Sequence, residues 1–224
     1  MERTIRVTGK GKVSVKPDTI RLIMTVEGTN KDYDKAVKES AEKTEKIKDM
    51  FEKLGFDRDK VKTLYFNVEA EFENFQISRT WKKRFKDYRY THRTKIEFPV
   101  DNEMLGKVLY ALSRSLIHPE FDIDYTVADP EKPKNQLLEK AIKDSMEKAQ
   151  VLAKASGVKL GNILNIDYSW GEVNFVSRPM RTSMYDSDIA MPCCAAGSTE
   201  SYDIDIDPDD IDVSDTVTVV WSIE

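Results

Sequence analysis

The chain has 224 residues, 40% hydrophobic and 33% charged, with a net charge of -5; it is long enough to bury a core, as one large or two small domains. The acidic balance argues against a general polyanion binder, and the adjacent Cys193 and Cys194 cannot staple distant segments, which fits a reducing compartment. No apolar run approaches the roughly 18 residues that span a bilayer, and Met1-Glu-Arg-Thr enters strand-like sequence with no apolar signal region, so the expectation is a cytoplasmic protein without a membrane span.

In chain order, Thr4 to Val15 has strand character with Gly9 and Gly11 inside it, which predicts a bulge or a close backbone contact. After Pro17-Asp18, Ile20, Leu22, Met24 and Val26 alternate with Thr19, Arg21, Ile23 and Thr25, the pattern of a half-buried strand ending near Gly28. Thr29 or Asn30 is the expected cap of a helix to Leu54, with Tyr33, Val37, Ala41, Thr44, Ile47, Phe51 and Leu54 on one side and Gly55 as its stop. Val61 to Phe72 alternates again, with Leu64, Phe66, Val68, Ala70 and Phe72 on one face, and so does Phe85 to Val100. The two make a tall hairpin joined by Glu73 to Arg84.

Asp101 or Asn102 caps a second helix with a stripe of Leu105, Val108, Leu109, Leu112 and Leu116. Pro119 ends it, and Phe121, Ile123, Tyr125 and Val127 form the next strand. From Thr19 to Val127 the order is strand, helix, strand, strand, helix, strand, which matches a ferredoxin-like βαββαβ layer with an antiparallel sheet. Lys134 to Ser156 is the plainest helix in the chain. Leu138, Ile142, Ser145, Ala149, Leu152 and Ser156 form its apolar stripe, and Ala141, Ser145, Ala149 and Ala153 form a ridge of small side chains that lets a neighbour approach closely. Gly157 fits a left-handed C-terminal cap. Ile163 to Trp170 is a strand, Glu172 to Ser198 a long loop, and Tyr202 to Ile206 and Val213 to Ile223 are final strands. The expected fold class is therefore α+β, with residues 1–128 as a ferredoxin-like subdomain carrying an N-terminal strand and 129–224 as a long helix with further strands.

Several patterns invite chemistry. Gly9-Lys10-Gly11 resembles a phosphate loop, but a strand follows where phosphate binding needs a helix N-terminus. Arg79 to Lys95 holds eight basic residues and one acid, interleaved with Trp81, Phe85, Tyr88, Tyr90 and His92; cross-strand pairing with Glu69, Glu71 and Glu73 accounts for much of it without nucleic acid. The surplus, Lys82, Lys83, Arg84 and Lys86, lies near the hairpin tip. Asp203, Asp205, Asp207 and Asp209 lack the Gly and Glu of a calcium loop, having Pro208 and Ser214 at those positions, and read as the wet face of an edge strand. Met180, Met184, Met191, Cys193 and Cys194 gather soft ligands without CxxC or paired His spacing. His92 and His118 stand beside no nucleophile motif. No catalytic, cofactor-binding or metal-ligating residue is assigned, and no cofactor is expected.

Val7-Thr8-Gly9-Lys10-Gly11, Val13 and Pro17-Asp18 resemble the opening signature of the SIMPL-domain family, and Ala141, Ala149, Leu152-Ala153, Gly157 and Leu160-Gly161 its second signature on a long helix. The resemblance implies an α+β protein without an assigned reaction. Bacterial relatives are mostly exported; some are linked to oxidative-stress tolerance, others are immunogenic antigens, and one type forms a large ring-like oligomer, while mammalian relatives are adaptors in kinase signalling. This chain is expected to depart in lacking a leader, and it has Leu116-Ile117-His118-Pro119 where a glycine turn is usual. The leading expectation is a non-enzymatic, self-associating homo-oligomer, with the basic hairpin tip meeting the acidic Glu200 to Asp215 between subunits or meeting a protein partner. A small-molecule or soft-metal binder using residues 172–198 and an unrecognised enzyme are the alternatives.

Overall fold

The computed structural model describes residues 3–77, 80–168, 173–181 and 201–224. The architecture is α+β. The chain runs through strands β1 (Thr4–Val15) and β2 (Thr19–Asn30), helix α1 (Tyr33–Lys53), the hairpin strands β3 (Lys62–Ile77) and β4 (Thr80–Pro99), and helix α2 (Asn102–Arg114). It continues with β5 (Glu120–Thr126), helix α3 (Glu131–Ala155), β6 (Leu160–Asp167), β7 (Val176–Arg181) and β8 (Ile211–Ile223). One sheet has the order β1-β8-β6 and the other β3-β4-β2-β5-β7. Two compact units result: Met1–Asp18 with Tyr125–Ser177 and Pro208–Glu224, and Thr19–Asp124 with Arg178–Asp207.

In the first unit, β1 pairs with β8 in unbroken antiparallel register from Thr4↔Ser222 to Val15↔Ile211, so its two glycines mark no bulge. They mark the close contact. A Cβ on Gly9 would stand 2.0 Å from the Ala141 carbonyl oxygen and 2.5 Å from the Ser145 nitrogen, and one on Gly11 would stand 2.0 Å from the Leu137 carbonyl oxygen. Helix α3 lies on this strand by its ridge of small residues: Leu137, Ala141, Ser145, Ala149 and Ala153 are its buried positions, together with Pro133 in the first turn, where proline's missing N–H costs nothing. The buried face is therefore the small-residue ridge itself. Leu138 and Ile142 pack only at its margin, Leu152 is 46% exposed, and Ser156 is a cap residue. The helix also starts earlier than its periodicity indicates, at Glu131 behind the N-cap Pro130, with the Asp129 carboxylate accepting from the Glu131 N–H at 3.1 Å just ahead of it. Gly157 takes the left-handed conformation expected of it, at φ 69.

Beneath α3 the core is Val7, Val217, Val219 and Trp221 against Ala141 and Ala149. The free edge of β1 is capped by the same helix. Asp144 accepts from the Lys10 N–H at 2.7 Å, while Lys140 donates to the Lys12 carbonyl at 3.1 Å and Lys148 to the Thr8 carbonyl at 3.3 Å. Backbone groups that an edge strand would offer to another chain are thus occupied. The Lys148 ammonium, with the Lys10 N–H behind it, holds the Asp144 carboxyl below its ordinary range.

In the second unit, α1 buries Ala36, Ser40, Thr44, Ile47 and Phe51, a set spaced by four and three. Its cap is Asp32, which accepts from the Asp34 N–H at 3.1 Å; Thr29 and Asn30 are the end of β2 instead. Asp101 caps α2 as anticipated, accepting from the Met104 N–H. Leu105, Val108, Leu109 and Leu112 are buried on α2, but Leu116 is past the helix and 95% exposed.

The hairpin differs most from its sequence pattern. Residues 73–84 are not a connection but continue the ladder as far as Ile77↔Thr80. Between Glu71↔Asp87 and Phe72↔Phe85 the strand β4 carries one extra residue, Lys86, a bulge that shifts the side-chain phase of β4 by one and interrupts its alternation there. Two further corrections concern the C-terminal third. Part of the segment read as a loop, Val176–Arg181, is β7, an outermost strand, the place in a sheet where a proline such as Pro179 is tolerated. Tyr202 to Ile206 is no strand. Its backbone is held by α2, with the Tyr202 N–H donating to the Gly106 carbonyl at 3.3 Å and Asn102 Nδ2 donating to the Ile206 carbonyl at 3.3 Å.

Two predictions follow from this backbone geometry. Gly11→Ala forces a methyl into the Leu137 carbonyl and is expected to cost about 3 kcal/mol, read as a lower urea midpoint at unchanged slope; Gly55→Ala, whose added Cβ meets nothing within 4 Å, is the strained but uncrowded comparison and costs about 1 kcal/mol. His118 has φ 45 directly before Pro119, so His118→Gly is expected to stabilise by about 1 kcal/mol.

Candidate functional site

Of the residues able to move a proton near neutral pH, His92 has the most developed surroundings. It sits on β4 between α1 and β3. The Thr44 hydroxyl donates to the Ser40 carbonyl at 2.9 Å, so it accepts from His92 Nδ1–H at 2.8 Å; Nε2 then accepts from the Thr63 hydroxyl at 3.0 Å. This is a neutral imidazole with both nitrogens satisfied. Ser40 Oγ lies 3.3 Å from Nδ1, yet a nitrogen already carrying a proton cannot take one from a serine, and Ser40 is fully buried. The cluster ties α1 to the hairpin and has no activated nucleophile.

Burial, and then the charge of Lys48, holds His92 below its ordinary value. Its neutral form is therefore favoured by folding, and the unfolded chain binds the proton more readily. The stability it contributes is fully present above about pH 6.5 and is lost as pH falls below that value towards the lowered folded one. Urea midpoints measured from pH 7 to pH 5 are expected to decline, and His92→Gln is expected to flatten the decline.

The phosphate-loop reading of Gly9-Lys10-Gly11 ends with those glycines in mid-strand under α3. Among the described residues no three His, Cys, Asp or Glu side chains converge as metal ligands. Met184, Met191, Cys193 and Cys194 lie outside the described residues, as does the Met180 side chain.

The remaining candidate is a surface. β4 pairs with β2 only from Tyr88 to Pro99, while β3 and β4 pair with each other out to Ile77↔Thr80. Among the described residues, everything beyond Asp87 is consequently a two-stranded ribbon with no third strand, about 25 Å long at the strand rise. The register puts Phe72, Phe85, Lys83 and Trp81 on one face. Phe72 is 60% exposed, Trp81 68% and Phe85 43%. A series of ring contacts runs back from them: Phe72 to Phe85 edge-to-face at 6.2 Å, Phe85 to Tyr88 tilted at 5.0 Å, Tyr88 to Tyr33 edge-to-face at 5.4 Å. On the other face Arg84 meets Glu73 at 2.5 Å and lies over Phe75.

The anticipated cross-strand charge pairs form with altered partners. Glu71 holds Arg89 at 2.5 Å and Lys86 at 3.4 Å, whereas Arg93 turns to Asp122 at 3.9 Å. Lys82 and Lys83 stand opposite Phe75 and Asn74 and have no ion-pair partner among the described residues. The acidic segment is the counterpart. Asp203, Asp207, Asp209, Asp210 and Asp212 have no cation within pairing distance among the described residues, and Asp205 only accepts from Asn102 at 3.3 Å. The surplus charge was legible in the sequence, but the bare aromatic face was not. Its signal was the unequal strand lengths, 16 and 20 residues in β3 and β4 against 12 in β2.

No helix of the described residues is long and apolar enough to cross a membrane. The family model SIMPL, described as a protein of unknown function (DUF541), matches residues 5–221, from β1 to the end of β8. A curated relative, the uncharacterized protein YggE of Edwardsiella ictaluri, is 24% identical over 178 residues, covering 80% of this chain and 72% of the relative. The glycines of β1 and the small residues of α3, remote in sequence, are the two sides of one contact within that match, and the chain belongs to the SIMPL family.

Proposed function

We propose that this protein is a non-enzymatic, self-associating module in which the ribbon of one copy meets the acidic segment of another. The observation that carries the reading is that nothing among the described residues covers the ribbon. A two-stranded hairpin is marginal in water on its own, and this one holds three large aromatic side chains in solvent beside two uncompensated lysines. The acidic row has the complementary excess. The body from which the ribbon extends is read as a ferredoxin-like layer; the strand order β3-β4-β2-β5 with α1 and α2 as its crossovers supports this.

Exposed charges are screened over about 8 Å at physiological ionic strength, so an interface led by charge weakens with salt. Light scattering after sizing chromatography is expected to show an assembly at low salt whose mass falls at high salt. Lys82→Glu with Lys83→Glu is expected to lower the mass at low salt as well. A monomer at both salt concentrations removes the proposal.

A further inference from the structure

Charge alone gives the ribbon a direction but no seat for its aromatic face, and the first unit contains an apolar surface of the matching kind. Strand β6 is the outer strand of the β1-β8-β6 sheet. Ile163 pairs across from Trp221 and Ile166 across from Val219, and both of those partners are buried in the core under α3. Ile163 and Ile166 share that side of the sheet, yet they are 43% and 50% exposed. The reason is that α3 sits over β1, drawn there by Gly9 and Gly11, and leaves the β6 end of the same face open. No charged side chain interrupts β6 before Asp167, although natural edge strands are usually guarded by charge. Two bulges in its pairing with β8 disfavour extension of the ladder by another strand, so the feature offers side chains and not backbone.

The surface also has an acidic end on the same face. The Tyr168 hydroxyl donates to Asp215 at 2.9 Å, and Asp215 lies on β8 beyond the residue that pairs with Asp167. Apolar side chains followed by a carboxylate are what a face made of Phe72, Phe85, Trp81 and Lys83 complements in both respects. We infer that the α3 side of β6, closed by Asp215, receives the ribbon of a second copy. The inference rests on the self-association proposed above and names its receiving surface. The contact joins two different surfaces, so each copy in a dimer keeps one of them unused and assembly continues past two.

A complementation experiment tests it on the full chain. One variant carries Phe72→Ser with Trp81→Ser, and the other Ile163→Lys with Ile166→Lys. All four positions are exposed, and circular dichroism checks that each variant is folded; Ile163→Thr with Ile166→Thr replaces the Lys pair if that pair does not fold. Under conditions where the wild type is assembled, each variant alone is expected to run as a monomer, and an equimolar mixture as a heterodimer of twice that mass and no larger. If the β6 variant assembles like the wild type while the ribbon variant is monomeric, the receiving surface is wrong and self-association through the ribbon stands. If the folded variants remain monomeric when mixed, the pairing of these two surfaces is overturned. If both variants assemble like the wild type, neither surface is the interface, and a monomeric wild type overturns the self-association reading along with this one.

Discussion

The backbone-to-backbone approach of β1 and α3 is the constraint on which the rest of the first unit depends. Two glycines and a row of alanine and serine bring a helix so close to a strand that methyl-sized additions collide with main-chain carbonyls. At this separation few side chains intervene, and the helix must sit over β1 rather than over the middle of the sheet. Its flanking residues Lys140, Asp144 and Lys148 then reach the strand's outer backbone groups. The same displacement uncovers β6 at the other side. One packing choice therefore closes one edge of the sheet and leaves the apolar face of the opposite strand open.

The chemistry of the described residues is consistent with a protein organised for contact. His92 is neutral, doubly hydrogen-bonded and built into the junction of α1 with the hairpin. The buried carboxylate of Asp124 is paired with Arg178 at 3.1 Å, an ion pair between β5 and β7. At the surface, the ribbon exposes aromatic rings beside two lysines that have no ion-pair partner among the described residues, and most of the acidic row before β8 has no cation partner there either.

Much of the fold was legible in the sequence because its elements are amphipathic with ordinary caps. Thr44, Ile47 and Phe51, or Leu105, Val108 and Leu112, announce their helices by spacing alone, whereas Ala36 and Ser40 are buried where Val37 and Ala41 were expected. The errors have local physical causes. The bulge at Lys86 changed the phase of the alternation in β4, so the ribbon looked like a connection. The alternating Ile and Asp of 203–207 imitated a strand, but the segment's backbone partners are on α2, and no local pattern reveals a partner a hundred residues away. On α3 the larger side chains suggested the buried face, whereas burial went to the small ones because Gly9 and Gly11 admit a close neighbour. The charges of the candidate interface could be read directly; its apolar halves required knowing where β2 ends and which side of the sheet α3 covers.

The pairing of β1 with β8 also has a consequence for how the chain reaches its native state. Thr8 and Thr218 touch through their hydroxyls at a separation of 210 residues, so the contact closes a loop that contains the whole α1 to β5 region. Long-range pairing of this kind is slow, because chain entropy is lost before any contact compensates for it. During synthesis β1 emerges early and waits without its sheet partner until β8 has been made, while the contiguous Thr19–Asp124 portion of the other unit can already collapse. The glycine-bearing strand, like β6, is thus joined to a sheet only once β8 has been made, and a nascent polypeptide must keep it from pairing elsewhere in the meantime.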